Sequence, residues 1–195
     1  MDLLYGLLYK YVIPFLWLAC AVYWLLSASK VKATAREESI ASRAAHLVPM
    51  TVAILLLFAP RNLPWGVLGE RMFPGGPATH WIGAAVVAAG LGFAAWARVH
   101  LGKNWSGTVT LKSDHELISS GPYRFVRHPI YSGGLLAMAG TVVARGEWRG
   151  LLAVLIMFAV LWRKLQHEER WMGEAFGEDY AKYRSEVCAL IPFVL

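Results

Sequence analysis

Charged side chains are scarce in this sequence, at 16% of 195 residues, where a soluble domain carries about 25%. That scarcity argues against an ordinary water-soluble fold. No polar stretch is long enough for a separate soluble domain, and there is neither an internal repeat nor a low-complexity tract. Cysteine is almost absent. Cys20 and Cys188 have no spacing that would make a disulfide framework or a metal motif, and they read as small buried apolar residues. What is abundant is apolar: 57% of the chain, gathered into runs that suit a hydrocarbon core of about 30 Å, which takes roughly 17 to 25 helical residues to cross. The net charge of +6 comes from Lys and Arg flanking those runs, not from a basic stripe on a reading helix. It points to anionic lipid head groups and not to nucleic acid.

Five apolar segments can be drawn, at residues 5–26, 46–59, 79–97, 130–144 and 150–162. Backbone groups in lipid must be satisfied within the segment, so each is expected to be a helix. The first is too long for a signal-peptide core and no small-residue cleavage site follows it, so it reads as a retained span. The fourth and fifth, joined by Arg145-Gly146-Glu147-Trp148-Arg149, predict a tight helical hairpin. Trp17, Trp24, Trp65, Trp81 and Trp148 stand near segment ends, as interfacial anchors do. The expected fold is all-α, a polytopic integral membrane protein of about five transmembrane helices. Residues 1–97 supply N-terminal helices, and residues 98–195 form a core of loop, hairpin and polar C-terminal helix.

Lys and Arg orient this arrangement, because cytoplasmic loops collect them. Fourteen of the nineteen fall after the first, third and fifth segments, and five (Lys10, Arg61, Arg71, Arg145 and Arg149) fall on the opposite side. The N-terminus is then expected outside, and two polar stretches, residues 100–129 and 163–195, share the cytoplasmic face. Residues 60–77, rich in Pro and Gly, read as an irregular outer loop.

The first polar stretch contains NWSGTVTLKSDHELISSGPYRFVRHPIYSGG, from Asn104 onward. His128 precedes Pro129, which biases the His128 backbone away from the helical region and lets Pro129 occupy the first turn of the next helix. The His128 ring and the Tyr131 hydroxyl are then held at a helix N-terminus, whose free N–H groups suit an anionic group. Interfacial anchoring is the plainer role for Arg127, His128 and Tyr131. After the fifth segment, RKLQHEER continues the helical register, so Lys164 and Glu168 share a face. A solvated ion pair would explain that spacing equally well.

Together, GPYRFVRHPIYSGG, then HEER after one helical hairpin, then FGEDYAKY and a closing IP resemble the isoprenylcysteine carboxyl methyltransferase family and its bacterial relatives. The resemblance covers residues 98–192, about half the chain. It implies a small helical membrane fold that binds S-adenosylmethionine between the loop before the hairpin and the polar helix after it. The absence of a GxGxxG fingerprint agrees with a cofactor site unlike that of soluble methyltransferases. Carried over position by position, the cofactor site falls on His115, Glu116, Leu117, Ile118, Tyr123, His128, Pro129, Ile130 and Tyr131. Glu168 matches the cofactor glutamate, and Glu169 completes a paired acid also seen in phospholipid N-methyltransferases.

The family's arginine four residues before that glutamate, near the substrate carboxylate, is Lys164 here, with Arg163 beside it. Arg163, Lys164 and Glu168 are thus the catalytic candidates. Lys cannot reproduce the bidentate fork by which Arg holds a carboxylate, so a lipid amine, hydroxyl or thiol joins a prenylated carboxylate as a candidate acceptor. With its resemblance to bacterial relatives, the protein is expected in a bacterial inner membrane, and the Lys and Arg bias turns its site to the cytoplasm. The residues leave two other readings open. Membrane sterol and steroid reductases share an RHP-like step but bind a nicotinamide cofactor, and a non-enzymatic membrane protein would need neither.

Overall fold

The computed structural model describes residues 2–27, 34–37, 39–105, 110–112, 117–192 and 194. Five helices dominate: α1 (Asp2–Ser27), α2 (Ile40–Phe58), α3 (Pro77–Leu101), α4 (Pro129–Arg145) and α5 (Trp148–Glu186). Three of them, through Lys10–Ser27, Ile40–Phe58 and Pro77–Asn104, are long and apolar enough to cross a membrane unaided. The protein is a multi-pass integral membrane protein. The remaining two expected spans are the short pair: α4 has 17 residues, and the apolar part of α5 ends near Trp162 while the helix itself runs on for 39 residues in all. Two short strands, β1 (Thr34–Glu37) and β2 (Thr110–Lys112), pair antiparallel and add a ribbon to the expected all-α fold. They tie the loop after α1 to the loop after α3.

Local chemistry sets the helix ends. The Ser39 hydroxyl caps α2 by accepting from the Ser42 N–H, as N-cap serines do. Pro77 and Pro129 open α3 and α4, where a missing N–H costs nothing. Gly146 closes α4 at φ +70°, a left-handed C-cap that needs no Cβ, and it makes the predicted hairpin turn.

The central packing unit is the antiparallel pair α3 and α4. A Cβ on Gly83 would stand 2.5 Å from the Gly140 carbonyl oxygen, and one on Gly133 would stand 2.5 Å from that of Gly90. Each helix therefore presents glycines seven residues apart to the other, and the backbones touch, as small residues permit in lipid. Gly92 faces open space, so this close packing is intramolecular at Gly83 and Gly90 only. Helix α2 packs on α5, and α1 lies on α3. Trp17 belongs to this interior and not to the interface: its indole N–H donates to the Thr141 hydroxyl at 3.0 Å, and its ring meets Phe58 edge-on at 5.4 Å. Its position midway along α1, which the apolar run alone concealed, is the reason.

At the hairpin end the irregular loop between α2 and α3 is laid against the α4–α5 turn by backbone bonds from Met72 N–H to the Gly146 carbonyl and from Trp148 N–H to that of Glu70. Glu147 and Arg149 are almost wholly buried there. Burial pushes the Glu147 carboxyl up, but hydrogen bonds and charge from Arg61, Arg145 and Arg149 outweigh it and hold the group below the usual carboxylate range. The ribbon and the described parts of both polar stretches lie at the opposite end.

Candidate functional site

The N-terminus of α4 meets the polar half of α5 and the C-terminal segment. The chain enters α4 through a 3-10 turn, Gly121–Arg124, and a non-helical His128 (φ −122°, ψ 61°), outside the α region that a following proline disfavours. Two backbone bonds dock this entry onto the segment after α5: Arg127 N–H to the Cys188 carbonyl at 2.8 Å and His128 N–H to that of Ala189 at 3.0 Å. The Ser132 hydroxyl adds a third to Leu190 at 2.6 Å. This clamp was not foreseen, because a pairing between residues about sixty positions apart leaves no local pattern.

Within the clamp the two acids of HEER take different surroundings. Glu168 accepts from the Tyr131 hydroxyl at 2.6 Å, lies 3.9 Å from the Lys164 ammonium and has its second oxygen 3.6 Å from His128 Nδ1. Its side chain remains 23% exposed, so it can still meet a ligand. Glu169 is closed in. Its carboxylate takes Arg127 Nε at 2.8 Å, sits 3.2 Å from His128 Nε2 and 3.4 Å from Arg184 Nε. Burial pushes the Glu169 carboxyl up, but the hydrogen bonds and charges of His128 and Arg127 overcome this and hold it below the usual carboxylate range.

The rings of His128 and Tyr131 stack with an interplanar angle of 1° and centroids 5.4 Å apart, and the Lys164 ammonium lies 5.4 Å from the Tyr131 ring centroid. Lys164 is 6% exposed, unusual for a lysine. Tyr123 is buried beneath the loop, stacked on His100, and burial raises its phenol well above the ordinary value. Its carbonyl accepts from the Tyr183 hydroxyl at 2.6 Å. Burial likewise pushes the Tyr183 phenol up to about 12, so it stays a donor at neutral pH.

The structure therefore brings together Tyr123, His128, Pro129, Tyr131, Lys164, Glu168 and Glu169. Leu117 and Ile118 before the turn and Ile130 in the first turn of α4 are half-buried. His115 and Glu116 lie outside the described residues. Arg163 parts from the group: it is exposed, and its guanidinium sits 3.4 Å from His46 Nδ1 on α2, because one residue along a helix is about 100° around it. The first turn of α4 offers fewer open donors than its position suggested, since the Tyr131 and Ser132 N–H groups both return to the His128 carbonyl oxygen at 3.0 Å. Arg127 reads from sequence as an interfacial anchor, but its guanidinium is turned inward onto Glu169. Its adjacency to His128 was the available signal.

A family model described as phospholipid methyltransferase matches residues 78–179, just over half of the chain. The chain belongs to the phospholipid methyltransferase family. That match runs from the start of α3 through the hairpin to the far part of α5, and so takes in the whole acid, His and Tyr cluster. Curated proteins similar to this chain include isoprenylcysteine methyltransferases, as the motifs implied. A probable protein-S-isoprenylcysteine O-methyltransferase of Oryza sativa subsp. indica is 33% identical over 56% of this chain and 53% of its own length. The protein-S-isoprenylcysteine O-methyltransferase of Schizosaccharomyces pombe is 33% identical over 50% of this chain and 43% of its own. This chain thus spans about half the length of the curated relatives it matches. In fold it resembles the solved eukaryotic intramembrane Ras methyltransferase, isoprenylcysteine carboxyl methyltransferase, with a TM-score of 0.55 and 22% identity over 79% of this chain and 52% of that one.

Proposed function

We propose that this phospholipid methyltransferase family member transfers a methyl group from S-adenosylmethionine to a lipidic or prenylated acceptor. The observation that carries the reading is the unequal pair of acids. Glu169 is spent on holding Arg127 and His128, while Glu168, half-sheltered beside Tyr131 and Lys164, keeps acceptor capacity for a ligand. The donor set suits the cofactor, which carries an ammonium, ribose hydroxyls, a carboxylate and an adenine. Glu168 would accept from the ammonium or a ribose hydroxyl, and His128 and Tyr131 would present polar edges to the rest. Leu117, Ile118, Pro129 and Ile130 would supply apolar walls, with Tyr123 as a floor. When bound, the cofactor supplies an electrophilic methyl on a sulfonium.

The protein's part is positioning and exclusion of water. Glu169 fixes the His128 ring, and the clamp to residues 188–190 fixes the entry to α4. Lys164, buried with its charge beside Glu168, would meet the acceptor as a point charge and not as a fork. An acceptor oxygen, nitrogen or sulfur is compatible with that, a prenylcysteine carboxylate included, since that is what the relatives' names record for them. The core from residue 98 onward carries the chemistry, and the positive-inside bias supports a site on the cytoplasmic face of the membrane.

Titration of the purified protein with S-adenosylhomocysteine and, separately, with NADPH tests the reading. Binding of the first alone supports methyl transfer, and binding of NADPH alone replaces it with reduction. Radiolabelled methyl transfer to lipid co-extracted with the protein would then identify the acceptor class.

A further inference from the structure

At the junction of α1 and α3, a cavity of about 420 Å³ is lined by Tyr23, Leu26, Ser27, Arg98, Gly102 and Lys103. None of these residues belongs to the Glu168 cluster. Arg98 is 3% exposed. Its two terminal nitrogens donate to the Ser27 carbonyl at 2.7 Å and the Gly102 carbonyl at 2.9 Å, and its face lies 4.4 Å from the Trp105 ring centroid. Its Nε has no hydrogen-bond partner among the described residues. Among the described residues, no carboxylate comes within ion-pair distance of Arg98. Carbonyl dipoles soften a buried guanidinium but do not neutralise it, and a buried charge is costly without a counter-ion. Lys103, exposed at the rim, adds a second cation, and none of the described residues lining the cavity is acidic.

We propose that this cavity holds the acidic head group of a membrane phospholipid. The choice of a lipid over a free anion rests on place and composition. The cavity lies at the ends of two membrane-crossing helices, and Leu26, 73% exposed, carries the apolar surface of α1 up to its lip. An acyl chain can follow α1 while the phosphate reaches Arg98 and Lys103. The volume suffices for a phosphoglycerol group, which is smaller than the ligands of ordinary pockets of roughly 300 to 1,000 Å³. The site is independent of the methyl-transfer reading.

The test is native mass spectrometry of the full chain, released from detergent with phosphatidylglycerol or phosphatidylcholine. The parent should retain the anionic lipid preferentially. Lys103→Gln, an exposed change that spares the fold, should weaken that retention roughly fivefold, the effect of one interfacial charge. Arg98→Lys, which keeps the charge but loses the fork, should also weaken it. Equal retention of the two lipids, or undiminished phosphatidylglycerol retention in Lys103→Gln, overturns the proposal. So does displacement of the lipid by inorganic phosphate, which would make the site one for a free anion. S-adenosylhomocysteine affinity should stay at the parent level in Lys103→Gln. Its loss there would make the cavity part of the cofactor site and defeat the proposal, whereas failure of the methyl-transfer reading would leave lipid retention unchanged.

Discussion

Adjacent in sequence and both acidic, Glu168 and Glu169 should fail in opposite ways when neutralised. Glu168→Gln removes a partly open carboxylate whose neighbours, Tyr131 and Lys164, keep water or each other. Loss of one charge-assisted contact costs about 1.5 to 3 kcal/mol, so S-adenosylhomocysteine affinity measured by calorimetry should fall roughly tenfold to a hundredfold while cofactor-free melting barely moves. Parent-like affinity would remove Glu168 from the site. Glu169→Gln strands Arg127, whose side chain is 9% exposed, and should destabilise the cofactor-free protein by about 3 kcal/mol, the lower end for breaking a buried pair. A pH series gives the independent check. The folded carboxyl of Glu169 lies below its ordinary value, so its stabilisation is complete above the unfolded value of about 4.3. It is lost as pH falls through the lower folded value. Glu169→Gln should flatten that acid limb, and an unchanged limb would show that the ion pair adds nothing.

Among the elements, the α3–α4 pair depends on backbone contact, and its glycines are unequal in a way that an experiment can read. A methyl at Gly90 would lie 2.6 Å from Ala137 N and from the Gly133 carbonyl oxygen, with backbone atoms that cannot step aside. Gly90→Ala should therefore cost about 1 to 3 kcal/mol, the range for overpacking. Gly92→Ala, facing open space, should be neutral or gain up to about 1 kcal/mol from helix propensity. Thermal unfolding of both in one detergent decides it, and equal shifts would mean that α3 and α4 do not meet along this seam. The long helix α5 changes character along its length, from the apolar hairpin arm to the acid-bearing stretch, and bends at Gly177 with φ +53°. That bend turns Tyr180 and Tyr183 inward, where both are buried.

For the whole molecule, the ribbon of β1 and β2, the clamp on residues 188–190 and the Glu168 cluster lie at one end, and the Arg61, Arg145, Glu147 and Arg149 network lies at the other. The charge bias predicts that the first end is cytoplasmic. In a background lacking Cys20 and Cys188, cysteines introduced at the exposed positions Ser119 and Ser185 should resist an impermeant thiol reagent added to intact cells, while one at Leu63 should react. The reverse pattern would invert the topology.

The sequence alone determined that the chain is helical and lives in a membrane, because apolar content and run length answer to lipid thickness without reference to any partner. It also determined the helix entry at His128-Pro129, the Gly146 turn and the shared face of Lys164 and Glu168, all of which follow from backbone sterics or helical period. The motifs from Gly121 to Pro192 pointed to the isoprenylcysteine carboxyl methyltransferases, which are among the chain's curated relatives. Only the tertiary structure could divide the labour of the two acids, turn Arg163 away to His46, recruit Arg127 and Arg184, and bury Trp17 against Thr141. Each of those depends on contact between segments from fifteen to more than a hundred residues apart, and local periodicity says which way a side chain points from its own helix but not what stands opposite it.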